Sequence, residues 1–139
     1  MKRNASYLIT PLLCLCMAVS VSCHKDTDPM TEQKQLVTDQ LTALYQGDID
    51  GFMSQADYGD FDLTDSVRYN AVKETLKAFI KGFISTNGGF SRIEATSAEM
   101  NPDSTVTVYY DLYFNNGQAE SHSQKVTCTD GVWKLRVKE

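Results

Sequence analysis

The sequence predicts an α+β domain, with three helices first and a four-stranded antiparallel sheet after them. Three observations predict it. Between residues 36 and 83 the apolar side chains recur at helical spacing, and from 91 onward they alternate with a period of two. Asn115-Asn116-Gly117 and Asp130-Gly131 then cut the second half into hairpins. A meander with one apolar face needs a cover, and the preceding helices supply it.

Leu36, Val37, Leu41, Leu44 and Tyr45 mark the first helix, and Gly47 ends it. Asp48 caps a short second helix, in which Ile49, Phe52, Met53 and Ala56 fall at i, i+3, i+4 and i+7 on one face. The polar loop Asp57-Tyr58-Gly59-Asp60-Phe61-Asp62 follows. Thr64 or Asp65 caps a longer third helix with the apolar face Tyr69, Val72, Leu76, Phe79, Ile80 and Phe83. Asn87-Gly88-Gly89 stops it, since Gly enters the left-handed conformation at little cost.

Strands are expected at 91–99, 104–114, 118–129 and 132–138. The two-residue turn Asp130-Gly131 sets Cys128 opposite Trp133 and Val126 opposite Leu135. In the preceding hairpin, a two-residue Asn116-Gly117 loop would set Val106 opposite Thr127. A three-residue loop with Gly117 in the bulge sets Val106 opposite Val126. A slip of one residue turns a whole strand over, and only the second register gives one consistent apolar face. That face carries Ile93, Ala95, Val106, Val108, Tyr110, Leu112, Phe114, Val126, Cys128, Trp133, Leu135 and Val137. Cys128 and Trp133 are accordingly expected in the core.

The start of the chain reads as an address. Lys2 and Arg3 precede a run without charge from Asn4 to Cys23, apolar in its middle and small at its end, Ser20-Val21-Ser22-Cys23. This is the order of a secretory signal. It resembles a bacterial lipobox, which implies cleavage before Cys23 and acylation of that thiol. Leu15 is too bulky to precede a cleavage at Cys16. An uncleaved span is long enough, but Pro11 and the serines weaken it. His24-Lys25-Asp26-Thr27-Asp28 resembles the surface-export signals of Bacteroidota lipoproteins. The expected organisation is therefore a signal peptide over 1–22, a lipidated Cys and acidic tether over 23–29, and one domain over 30–139. The expected location is the bacterial cell envelope, anchored to the outer membrane on its periplasmic or outer face. With Cys14 and Cys16 in the signal and Cys23 acylated, Cys128 has no disulfide partner.

The Gln46-Gly47-Asp48-Ile49-Asp50 corner, the strand Thr105-Val106-Thr107-Val108-Tyr109-Tyr110 and the terminal Asp130-Gly131-Val132-Trp133-Lys134-Leu135 occur in an order that resembles the nuclear transport factor 2-like superfamily. Uncharacterised lipoprotein-borne members are the nearest likeness. The resemblance implies that the sheet curves and closes with the helices into a cone. That superfamily holds enzymes, adaptors and ligand-binding modules, so it does not fix the function.

The 139 residues suit a single domain, and the formal charge of −5 argues against a nucleic-acid partner. Phosphate-loop, dinucleotide and serine-hydrolase motifs are absent. His24 and His122, the two histidines, lie far apart, and the Asp57–Asp65 loop lacks the Gly and Glu of a calcium loop, so no metal or other cofactor is expected. By register, Tyr110 faces His122 and Val108 faces Gln124. Tyr110, His122 and Gln124 are thus the candidate ligand contacts at the wide mouth of the cone. Ketosteroid isomerases and scytalone dehydratase use Asp, His and Tyr in such a cone, and an imidazole can move protons at neutral pH. No catalytic motif of those enzymes is matched. A non-catalytic binding module with an apolar ligand is therefore preferred. The alternatives are a small isomerase or hydrolase acting through His122 and Tyr110, and a structural or protein-interaction component of the envelope. On the other sheet face, Tyr109 and Tyr113, with Thr105 and Thr107, are the candidate contact surface for a weak homodimer or an envelope partner.

Overall fold

The computed structural model describes residues 29–137. The sheet and the helices form one compact unit within Glu32–Glu139, apart from Thr31 at the start of the first helix. The expected signal peptide, Cys23 and most of the expected tether lie outside the described residues. Among the described residues no helix is long and apolar enough to cross a membrane.

The elements run α1 (Thr31–Tyr45), α2 (Ile49–Gln55), α3 (Ser66–Thr86), β1 (Phe90–Met100), β2 (Val106–Phe114), β3 (Ala119–Thr129) and β4 (Val132–Leu135). The strands form one antiparallel sheet in the order β1-β2-β3-β4. Helices and sheet make an α+β cone, with the sheet curled into a half-barrel. Helix starts follow their caps. Asp48 accepts the Gly51 amide, and of the two candidates for α3 it is Asp65 that accepts the Val67 and Arg68 amides.

The hairpin register is the one expected. Val106 pairs with Val126 and Tyr110 with His122, while Val126 pairs with Leu135 and Cys128 with Trp133. The Phe114 amide donates to Gln118 and the Gly117 amide to Phe114, leaving 115–117 as the loop with Gly117 at φ 84°. Asp130 and Gly131 both take positive φ, as the tight hairpin requires. In β1 the register shifts twice, at Phe90/Arg92 and Ala95/Ser97. A bulge turns the following side chains over and deepens the twist. The second therefore brings Ala98 and Met100 opposite Val108 and Val106.

The core lies between α1, α2 and the middle of β2 and β3. Val37, Val106, Val108, Leu112, Val126 and Leu135 are fully buried. Two core expectations fail at the β3–β4 end. Cys128 is exposed and Trp133 only half-buried. They do sit on the apolar parity, but one pair beyond Val126 and Leu135, where the core ends and the hairpin turn begins. A third expectation, that the apolar face of α3 is core, also fails: of its residues only Ile80 is buried, and Phe79 is 61% exposed.

The reason is how α3 is held. At its C-terminal end an aromatic cluster ties it down. Phe83 meets Phe114 edge-on at 5.4 Å between ring centres and stacks on Phe79 at 5.8 Å, while Tyr45 stacks on Phe90 at 5.7 Å. At its N-terminal end Tyr69 Oη and Lys73 Nζ donate to Asp50 of α2 at 2.9 and 2.6 Å. Between these two ties the helix spans open space.

Candidate functional site

That space is a cavity of about 640 Å³. Its floor is Leu41 and Leu44 of α1 with Phe52 of α2; its roof is Val72, Leu76 and Phe79 of α3. The sheet closes it with Tyr110 and Gln124, and the chain after β4 adds Arg136 and Val137. The volume is in the range of small-molecule sites, which are characteristically apolar with a few placed polar groups.

Three of the polar lining residues, Tyr58, Gln124 and Arg136, are tied together through the backbone. After Leu135 the strand alternation stops. Arg136 forms a parallel bridge with Asp57, in which the Asp57 amide donates to Leu135 O at 2.7 Å and the Val137 amide to Asp57 O at 2.9 Å. The 57–58 loop is thereby stitched to the end of the sheet, and Tyr58 comes to line the cavity along with Arg136. Gln124 locks the junction, its Nε2 donating to Lys125 O and Arg136 O at 2.9 and 2.8 Å. Tyr58 Oη is buried without a hydrogen-bond partner. Burial pushes its phenol up to about 12, with the neighbouring Tyr69 adding to the shift. Burial likewise raises Tyr110 well above the ordinary phenol range and, with the Glu120 carboxylate, raises Tyr45. All three therefore stay protonated at neutral pH.

Of the sequence candidates, Tyr110 and Gln124 line the cavity. His122 does not: it is exposed on β3, its ring 5.7 Å from that of Tyr110, with Nε2 3.2 Å from Glu120. Tyr58 and Arg136 were missed. Tyr58 sits in a polar loop with no period to flag it, and Arg136 lies one residue past the strand whose parity would have pointed it outward. The only sequence cue was an aromatic inside an Asp-rich loop. Those aspartates are occupied in turn-making: Asp57 accepts the Gly59 amide and Asp62 accepts Thr64 N and Oγ1. Among the described residues no cluster of three metal-ligating side chains occurs.

The outer sheet face is more tightly knit than expected. Tyr109 Oη donates to Glu99 at 2.7 Å, and Ser121 Oγ to Asp111 at 2.6 Å. Arg92 pairs with Glu94 at 3.0 Å, and its guanidinium lies 3.9 Å over the Tyr113 ring. Tyr109 is exposed and Tyr113 half-buried. Thr105, expected on the open face, is instead buried, because the 101–105 turn folds over it: it donates to Asp103, and Asn101 donates to it. A second hollow of about 640 Å³ runs between the α1–α2 corner and Lys73, Lys77 and Lys81 of α3. Asp48 and Asp50 line it too and offset much of that charge.

Among solved structures, a protein described as an NTF2-like transpeptidase from Campylobacter jejuni superposes with a TM-score of 0.61 at 19% identity, over 78% of this chain and 100% of that one. Aln2 from a Streptomyces species matches at a TM-score of 0.45 and 17% identity, over 79% and 88% of the two chains. No family model and no curated protein matches the sequence. The domain has the nuclear transport factor 2-like fold. Fold and cavity together define the class, a cone-shaped α+β module with a largely apolar cavity beneath α3.

Proposed function

We propose that the protein is a non-catalytic binding module that holds a small apolar molecule beneath α3, and that it works anchored to a bacterial envelope membrane through an acylated Cys23. The observation that carries the binding reading is the cavity itself: apolar side chains from three helices border open space instead of packing on the sheet. Leaving Val72, Leu76 and Phe79 beside empty space forfeits contact energy that a ligand would restore. Acid–base catalysis in the cone needs a titratable acid or base within reach of the substrate. Among the described residues the lining offers neither carboxylate nor imidazole, so of the two residues of the isomerase reading Tyr110 alone reaches the cavity.

The neutral dye Nile red tests the binding claim. It should bind with micromolar affinity and gain fluorescence, and Val72→Trp, which fills the space, should weaken it by at least about tenfold without altering the far-ultraviolet dichroism. A chain that never takes up the dye, or a filled variant that binds it equally well, refutes the reading. The anchor rests on the charge-free run ending in Ser20-Val21-Ser22-Cys23. Cells fed a labelled fatty acid should label the natural chain and not Cys23→Ala; label retained by the variant refutes it.

A further inference from the structure

The hollow on the other flank of α3 has a chemistry of its own. We infer that it takes a phosphate ester of an aliphatic chain, with the phosphate between the Lys77 and Lys81 ammonium groups and the chain along Tyr45, Ile49, Ile80 and Ile84. Tyr45 and Ile80 border both spaces, but the lysines line this one alone. The inference does not depend on what the apolar cavity holds.

Three observations lead to it. First, charge is segregated. Helix α3 carries Arg68, Lys73, Lys77 and Lys81 against Glu74 alone, in a chain whose formal charge is −5. Lys73, Lys77 and Lys81 recur every four residues, which sets them in one row about 6 Å apart, and all three line the hollow. The exposed Val67, Ala71, Thr75, Ala78 and Gly82 bear no charge, whereas cations serving only solubility would occupy that face. Second, the nearby carboxylates are engaged. Asp50 accepts from Lys73 and Tyr69, and Asp48 accepts the Gly51 amide. Lys77 meets Glu74 only at 3.9 Å, between exposed side chains, a contact worth little. Lys81 makes neither a hydrogen bond nor an ion pair among the described residues. Third, the floor is apolar: Ile49 and Ile80 are buried, and Tyr45 and Ile84 half-buried. A bare anion would leave that surface wet, and an aliphatic chain covers it. Two ammonium groups act as point charges with three donors each, which suits the near-dianionic, three-oxygen head of a phosphate monoester. A planar carboxylate is matched better by the fork of an arginine.

Calorimetric titration of the full chain with octyl phosphate, octanol and inorganic phosphate is the test. Residues 1–28 are the same in every variant, so uptake by that apolar stretch cancels in the comparison. Octyl phosphate should bind at least about tenfold more tightly than either of the others, because it alone uses both the lysines and the floor. Lys77→Gln with Lys81→Gln should weaken octyl phosphate about tenfold and leave octanol unchanged. Arg68→Gln with Lys134→Gln removes as many cations outside the hollow and should change neither. Octyl phosphate binding no more tightly than octanol would overturn the site. Equal losses in the two double variants would also overturn it, by reducing the effect to bulk charge. Vesicles of phosphatidylcholine containing phosphatidic acid then assign the source. Co-sedimentation that weakens in Lys77→Gln with Lys81→Gln makes the phosphate that of a membrane lipid. Co-sedimentation equal to that of the natural chain, beside tight octyl phosphate binding, makes it that of a soluble ester.

Discussion

Helices α1 and α3 cover the same sheet but differ in kind. In α1, Gln33, Val37, Gln40, Leu41 and Leu44 are all buried within 15 residues; in α3, Ile80 alone is buried in 21. The apolar stripe of α3 is as clear in the sequence as that of α1. Periodicity says which face of a helix turns inward. It does not say whether anything fills the space there. One helix is a wall of the core and the other is a beam tied at both ends, with the cavity beneath it.

The sharpest way to break this comparison is to cut the same side chain in the two regions. Leu112→Ala, at a fully buried site on β2, should cost about 2–5 kcal/mol, read by urea unfolding. Leu76→Ala, on the cavity side of α3, should cost under about 1 kcal/mol, because the space it opens is already open. Equal losses would mean that α3 is packed after all.

The same contrast separates what could be read in the sequence from what could not. The β2–β3–β4 register was legible because Gly117 and Asp130-Gly131 fix loop lengths, and one consistent face then excludes the alternative. The bulges in β1 were not legible: Thr96 looks like any strand residue, and its hydroxyl reaching Tyr109 O at 3.2 Å depends on the partner strand. Cys128 had the right parity and the wrong depth, since alternation tells inside from outside but not where the core stops. Two of the polar residues that line the cavity, Tyr110 and Gln124, followed from parity. Tyr58 and Arg136 depend on a bridge between residues 57 and 136, a contact with no local signature.

Alkali should probe the cavity side. Burial raises the Tyr58 phenol to about 12. A group raised in the folded state contributes stability that is complete below its ordinary value near 10 and lost as pH climbs through the folded value. Stability should therefore fall between about pH 10 and 12, and Tyr58→Phe, which cannot ionise, should lose less over that window. Parallel pH profiles for the two proteins would show that the hydroxyl is not held in a dry place.

A cap tests the α1–α2 corner. Asp48→Ala removes the side chain that accepts the Gly51 amide at 3.0 Å, and should cost about 1 kcal/mol in urea unfolding. A cost near zero would mean that the packing of Ile49 and Phe52 alone sets the start of α2.

The smallest effect concerns the N-terminal tie of the beam. The hydrogen bond from Lys73, and then that from Tyr69, hold the Asp50 carboxyl below its usual range. A carboxylate lowered in the folded state contributes stability above its ordinary pKa near 4, and that contribution is lost as pH falls through the folded value. The groups are exposed, so water and salt screen the tie and global stability should hardly notice it. Local opening should. Asp50→Asn at neutral pH is expected to speed amide exchange in residues 69–75 while leaving that of α1 unchanged, because only α3 depends on a polar tie at that end. The natural chain should show the same change on acidification below about pH 4. If α1 and α3 loosen together in Asp50→Asn, the beam is not an independent element, and the cavity beneath it cannot open for a ligand without unfolding the wall.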